Sequence, residues 1–252
     1  SLVPNITIIA PKDFEELNQM MDFSIKYKAP IFTHSSETKS EVEGCIERYG
    51  KTPTELFEEI GLWNWGGGGY HSVWLSDNDL QIYKKRGLWA IINAGSNSKL
   101  ASGICDVQKM SNMGINLAVG TDGPSYNNAL DMFREMYLIS VLQKLKYNDA
   151  AAMDANEILK AATSGSAKCM GLTDCDCIAE GKLADLMIID LERPNMQPIN
   201  NITKNLVYSG SKDDVKMTMI NGKILYENGE FVNIDKEEIY AKAQEICNRL
   251  KN

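Results

Sequence analysis

Short apolar runs and amphipathic runs alternate along most of this chain, and the apolar runs keep ending on polar groups. Ala29-Pro30-Ile31-Phe32-Thr33 leads into His34, then into Ser35-Ser36-Glu37-Thr38. The glycine run 66–69 leads through Tyr70 into His71. Leu117-Ala118-Val119-Gly120 leads through Thr121 into Asp122. There are two histidines in 252 residues, and both sit at such ends. Short apolar runs bounded by turn signals read as buried strands. Strands alternating with helices give an α/β fold with a parallel sheet. A parallel barrel keeps its chemistry at the strand C-termini, where these three groups fall.

Helix signals fill the intervals. Residues 11–27 carry Phe14, Leu17, Met20, Met21 and Ile25 at helical spacing. Helical character returns at 40–49. Thr52 caps the next helix, with Pro53 at its first position and Gly61 past its end. Ser76-Asp77-Asn78-Asp79 resembles a capping box with Asp in place of Glu, and Gly87 closes that helix. A buried strand over 88–92, a helix over 104–113 ending at Gly114 and a strand over 115–120 follow. Helical spacing then covers 131–145 and 154–170. Beyond Ile178 the character changes: 183–190 is strand-like, and two Asn-Gly dipeptides, at 221–222 and 228–229, punctuate β-rich runs as hairpin turns. The expected organisation is a barrel portion at 1–177, a small β-rich segment at 178–233 and an amphipathic helix within 234–252.

Composition excludes several functions. The net charge of −8 and the absence of a basic stripe speak against nucleic-acid binding, which needs clustered Lys and Arg. No run of 18 apolar residues reads as a membrane span. The six scattered cysteines read as reduced thiols of a cytoplasmic protein. Cys175-Asp176-Cys177 is too close for a standard zinc pair and reads as loop. The glycine run is no phosphate loop, since no GK[ST] follows it. The absence of GxSxG and of a Pro-Cys-x-x-Cys zinc motif disfavours serine hydrolases and the cysteine-zinc deaminases.

Each candidate site residue also has a plain structural reading. His34 could be a buried core histidine, and Glu37 an acid complementing a helix start. His71 could be a satisfied core histidine, and Asp122 a turn residue in Thr121-Asp122-Gly123-Pro124. The polar loops 93–97 and 125–128, with Asn97 and Asn127, could be ordinary turns. The functional reading makes His34 and Asp122 metal ligands, since strand ends are rigid enough to hold them. It makes Glu37 a proton shuttle. The shared placement at strand ends favours the functional reading, and His34, His71 and Asp122 are expected to converge at one end of the sheet.

The motifs also carry a family resemblance. The stretches are His34-Ser35-Ser36-Glu37-Thr38, Glu58-Glu59-Ile60-Gly61-Leu62, Tyr70-His71-Ser72-Val73-Trp74-Leu75-Ser76, the run 95–103, the run 120–131, Glu180-Gly181-Lys182-Leu183-Ala184-Asp185-Leu186 and Asn205-Leu206-Val207-Tyr208-Ser209. Over about residues 11–232 the chain resembles the C-terminal part of amidohydrolase-superfamily enzymes. The branch is that of S-adenosylhomocysteine/5′-methylthioadenosine deaminases, guanine deaminases and triazine chlorohydrolases.

The resemblance implies the C-terminal half of a (β/α)8 TIM barrel, strands five to eight, plus part of a small β-sandwich. It implies one divalent metal ion, zinc with iron as the alternative. His34 and Asp122 would be metal ligands, and Asp122 would also take a proton from the bound water. Glu37 would pass that proton to a ring nitrogen, and His71 would hydrogen-bond the water or the developing oxyanion. Asn97 and Asn127 would join Glu37 and His71 around a small heterocyclic substrate. The reaction implied is hydrolytic deamination of a purine or purine nucleoside. A chlorohydrolase of the same branch is the alternative, and an inactive fragment acting as an interaction module is a third reading.

The chain departs from the family pattern in its first half. The His-x-His pair after strand one has no counterpart, and Asn5 or a neighbour stands near the place of a substrate-contacting histidine. The first four strands have no counterpart either. The chain is therefore expected to behave as a fragment, self-associating or pairing with the missing N-terminal half through open edges.

Overall fold

A computed structural model gives the architecture and describes residues 6–8 and 14–251. Asn5 lies outside the described residues. The order of elements is β1 (Ile6–Ile8), α1 (Phe14–Tyr27), β2 (Ile31–Ser35), α2 (Lys39–Tyr49), α3 (Pro53–Glu59), β3 (Gly67–His71), α4 (Asp77–Arg86) and β4 (Trp89–Ile92). Then come α5 (Ala94–Lys99), α6 (Val107–Met113), β5 (Asn116–Val119), α7 (Pro124–Asn127), α8 (Met132–Tyr147), α9 (Ala155–Lys160) and α10 (Ser166–Cys169). The last stretch holds β6 (Leu186–Ile189), α11 (Ile202–Tyr208), β7 (Val215–Ile220), β8 (Lys223–Glu227), β9 (Glu230–Phe231) and α12 (Lys236–Leu250).

Strands β1 to β5 form one sheet in sequence order, every neighbouring pair parallel. This is the α/β fold read from the motifs, one strand richer than the four expected. Ile6–Ile8 is too short to show a period of its own. Alternation sorts the sheet into two faces. Ile31, Ala90, Ile92 and Val119 pack with Leu80 and Tyr83 of α4, Met110 of α6 and Met136 and Ile139 of α8. Phe32, Ile91 and Ala118 form a separate apolar cluster on the opposite face, with Tyr70 and Trp89 against it. Burying a side chain such as Ile31 or Leu80 contributes about 1.5–3 kcal/mol, so the helix-covered face anchors the sheet. Among the described residues no helix is long and apolar enough to cross a membrane.

The caps explain where the helices begin. Thr52 and Glu55 make a reciprocal capping box at α3, and Ser76 with Asp79 makes one at α4. Asp79 also accepts the Thr52 hydroxyl, so the two helix starts are tied together. Gly87 and Gly114 close α4 and α6 in the left-handed conformation that favours glycine.

Three expectations need correction. The polar stretches 93–97 and 125–128 are not loops: most of each is wound into α5 and α7. Helix α6 begins at Val107 rather than 104, because Asp106 caps it by accepting the Lys109 amide. The helix expected over 154–170 is interrupted by a π-helical turn at Ala161–Gly165, where the Ser166 hydroxyl bonds Ala161 O. That hydroxyl also accepts the Val119 amide of β5.

The glycine run forms strand β3. A Cβ at Gly67 would lie 1.7 Å from Ile31 O, and one at Gly68 2.1 Å from Trp89 O. Neighbouring backbone occupies the space a side chain would need, which is the physical reason for glycine here. The antiparallel sheet β6-β7-β8-β9 follows, with its turns on Asn221-Gly222 and Asn228-Gly229, all four at positive φ.

Candidate active site

Strand β2 carries His34 on the same face as Phe32, where its ring lies 5.3 Å from that of Tyr70. His34 Nδ1 is buried and has no hydrogen-bond partner. Past the strand end, Ser36 adopts φ of 54°. The Glu41 carboxylate of α2 accepts the amides of Ser36 at 2.9 Å and of Glu37 at 2.8 Å. Ser36 O in turn accepts the amides of Val73 and Trp74. The turn bearing Glu37 is thus pinned by its own helix and by the turn after β3.

His71 pairs in register with Ser35, so strict alternation would turn it toward the helices. It stands instead at φ of 69°, followed by Ser72 at 50°. This left-handed pair accompanies a ring whose centroid is 5.3 Å from that of His34. The ring is buried, and its Nδ1 lies 2.8 Å from Asn97 Oδ1. Asn93 Nδ2 stands 3.5 Å from the same nitrogen, a contact too long to compete. With Asn97 Oδ1 as acceptor, Nδ1 carries a proton and donates it, which leaves Nε2 turned toward the site. From Nε2, Glu37 Oε2 is 3.7 Å away and Asp122 Oδ2 3.9 Å.

Asp122 follows β5 at φ of 61°. Its Oδ1 accepts the Gly123 amide at 2.7 Å, and its Oδ2 accepts the Ser96 hydroxyl at 2.6 Å. Glu37 Oε1 accepts the Ser102 hydroxyl at 3.3 Å. Each carboxylate therefore keeps one oxygen toward His71 and is steadied by a serine from α5 or the loop behind it.

The structure brings His34, Glu37, His71, Asn97 and Asp122 to the C-terminal end of the parallel sheet. Asn127 stands a layer behind, donating to Thr121 O at 2.6 Å and to Glu135 Oε1 at 2.7 Å. Ser96, Ser102 and Glu135 were not legible as site residues. Ser96 lies within a polar run that could be noticed, but Glu135 reads as an ordinary acid in the first turn of α8. Cys105 donates its thiol to Ser72 O beside His71, and burial pushes that thiol up to about 12, which disfavours a thiolate nucleophile.

An imidazole nitrogen and a carboxylate suit a borderline divalent ion such as zinc. The unpartnered buried His34 Nδ1 is an orphan polar atom of the kind a ligand satisfies. The two groups supply half of a tetrahedral set. Among the described residues no group of three or more His, Cys, Asp or Glu forms a ready metal cluster.

Comparison with known proteins places this geometry in context. Residues 5–225 match the family described as Amidohydrolase family. A 5-methylthioadenosine/S-adenosylhomocysteine deaminase of Pyrococcus furiosus is 42% identical over 217 residues, which cover 86% of this chain and 52% of that protein. One from Clostridium tetani is 40% identical over 88% of this chain and 52% of its own length. The crystal structure of an adenosine deaminase from Xanthomonas campestris with bound zinc superposes with a TM-score of 0.93 at 30% identity, covering 97% of this chain and 56% of that one. A zinc complex of atrazine chlorohydrolase from Arthrobacter aurescens shares the fold, with a TM-score of 0.83 at 23% identity, covering 92% of this chain and 51% of that one. The chain spans about half the length of the curated relatives it matches.

Proposed function

Because this chain belongs to the amidohydrolase family, we propose that it is the catalytic C-terminal half of a metal-dependent aminohydrolase acting on an aminated purine nucleoside. The class is that of 5′-methylthioadenosine and S-adenosylhomocysteine. In this reading residues 1–177 are the barrel portion, 178–233 the sandwich portion and 234–252 a terminal helix. The observation that carries it is the pair of carboxylates, Glu37 and Asp122, aimed from opposite loops at Nε2 of His71. Relatives at 40–42% identity support deamination over dechlorination.

His34 and Asp122 would hold the metal. Bound divalent ions supply a Lewis-acid centre and bring the pKa of water toward neutrality. Asp122 accepts a proton from the attacking water; the Gly123 amide and Ser96 hydroxyl keep its carboxylate oriented for this. Glu37 carries a proton to the ring nitrogen beside the amine-bearing carbon, so that the carbon accepts the water oxygen. The C–N bond then breaks, and the amine leaves as ammonia with a proton from the same acid-base pair. His71, its Nδ1–H held by Asn97, presents Nε2 to the incoming oxygen. Asn97 acts behind the imidazole, and Asn127 behind the loop that carries Asp122.

The test is a substrate panel on the complete protein that carries this segment. Methylthioadenosine, S-adenosylhomocysteine, adenosine, guanine and a chlorotriazine are supplied, and ammonia and chloride are measured. Ammonia from the thioether nucleosides is the expected outcome. Chloride release without ammonia would overturn the reading.

A further inference from the structure

The geometry points to Glu135 as a positioning residue: its buried carboxylate sets the turn at Gly95, and through it the grip of Ser96 on Asp122 and of Asn97 on His71. Glu135 has no exposed surface. Its Oε2 accepts the Gly95 amide at 2.8 Å, and its Oε1 accepts Asn127 Nδ2 at 2.7 Å. Burial raises its carboxyl above the usual carboxylate range, and the Gly95 and Asn127 donors offset only part of that rise. A carboxylate in such a place is costly and persists only where its bonds are met.

Two routes run from Glu135 to the site. The first passes through Gly95 to the next two residues, Ser96, which donates to Asp122, and Asn97, which accepts from His71. The second passes through Asn127, whose Nδ2 also donates to Thr121 O, one residue before Asp122. The fit is close. A Cβ on Gly95 would lie 2.4 Å from Glu135 Oε1 and 2.7 Å from Asn127 Nδ2. No side chain can enter at 95 without pushing the carboxylate away. Glu135 touches none of the reacting groups, so its action is indirect.

Glu135→Gln has the same shape and the wrong bonding. Its amide sets a donor against either the Gly95 amide or Asn127 Nδ2. Turning Asn127 over would set Oδ1 against Thr121 O and lose that bond. No arrangement of the variant satisfies all three groups.

The inference rests on the proposed reading of His71 and Asp122, and its test leaves catalysis aside. The full 252-residue chain is labelled with ring-15N histidine, and its two histidines give two sets of imidazole signals. In the wild type, His71 is expected to show a slowly exchanging Nδ1 proton. Glu135→Gln and Gly95→Ala are each expected to speed that exchange roughly tenfold, as loss of one hydrogen bond implies. The His34 signals and the circular dichroism should stay unchanged. Ser140→Ala, on the same helix and bonded to Tyr208, should lower the melting temperature and leave His71 alone. Variants that melt earlier yet keep the wild-type His71 signature would make Glu135 a stability element only and overturn the inference. Where Glu135→Gln does not fold, Gly95→Ala and the shorter Glu135→Asp decide by the same signature. The same signature pattern in this chain, together with a complete protein carrying it that deaminates nothing in the substrate panel, would sink the functional reading and leave this one standing.

Discussion

The Ser96 hydroxyl donates to Asp122 Oδ2 at 2.6 Å, joining the first turn of α5 to the loop after β5. The bond leaves Asp122 with one oxygen on the Gly123 amide and the other shared between Ser96 and the His71 side of the site. Ser96→Ala removes the side-chain donor and keeps the backbone one. In the complete enzyme, metal affinity or turnover is expected to fall about 10–100-fold, the usual effect of losing a group that orients a ligand. Metal titration beside steady-state kinetics checks it. A variant unchanged in both would remove Ser96 from the site.

In the proposed reading Glu37 transfers a proton and does not bind the metal. Its Oε1 meets the Ser102 hydroxyl and its Oε2 faces His71. Glu37→Gln in the complete enzyme is expected to retain metal and lose about 10²–10⁴-fold in turnover. Parallel measurement of bound metal and ammonia release separates the two. Near-normal turnover would leave Glu37 a structural role only.

The 252-residue chain by itself is expected to hold zinc weakly and to associate. In the proposed reading His34 and Asp122 would offer two ligands where a stable zinc site uses three or four from protein. Among the described residues the parallel sheet ends on β1 and β5, each paired on one side only, which gives it a reason to find a partner. Metal analysis after purification and light scattering read both properties. A monomeric, zinc-loaded and active preparation would contradict the proposed division of the site.

Asp79 should make stability depend on pH. Burial raises its carboxyl above the ordinary 3.8, against the opposing bonds from Thr52 and Ser76. A folded-state value above the unfolded one contributes stability below the unfolded value, and this is lost as pH rises through the folded value. Asp79→Asn cannot ionise. Its unfolding free energy relative to wild type should therefore improve as pH climbs from below 3.8 toward neutrality. Denaturant melts at several pH values measure the difference. A difference that is flat, or of opposite slope, would mean the bonds to Thr52 and Ser76 outweigh burial.

Most of the frame was readable from local chemistry. Thr52 before Pro53, Ser76 with Asp79, and the Asn-Gly turns act within four residues, so their spacing survives in the sequence. His34, His71 and Asp122 stood out as candidates because each follows an apolar or glycine run at a strand end. The supports of the site were not. Glu135 reaches Gly95 across 40 residues and Ser102 reaches Glu37 across 65, and no period links such positions. The left-handed turn at His71 was equally hidden, since histidine carries no sign of needing positive φ.

Strand β3 has a further consequence. Three successive residues carry no side chain, and the space belongs to the Ile31 and Trp89 backbone and to the Tyr83 hydroxyl, which a Cβ at Gly69 would meet at 2.2 Å. Tyr83 therefore reaches from the outer helix to the strand itself, where it also lies 3.3 Å from the Ser72 hydroxyl next to His71. At this place one phenol links the helix layer to the turn that carries His71. A substitution at Tyr83 would not stay within the helix layer. It would reach Ser72 and the turn that carries His71, so variation in descendants of this chain should thin out along a line from α4 to that turn, as it should around Glu135.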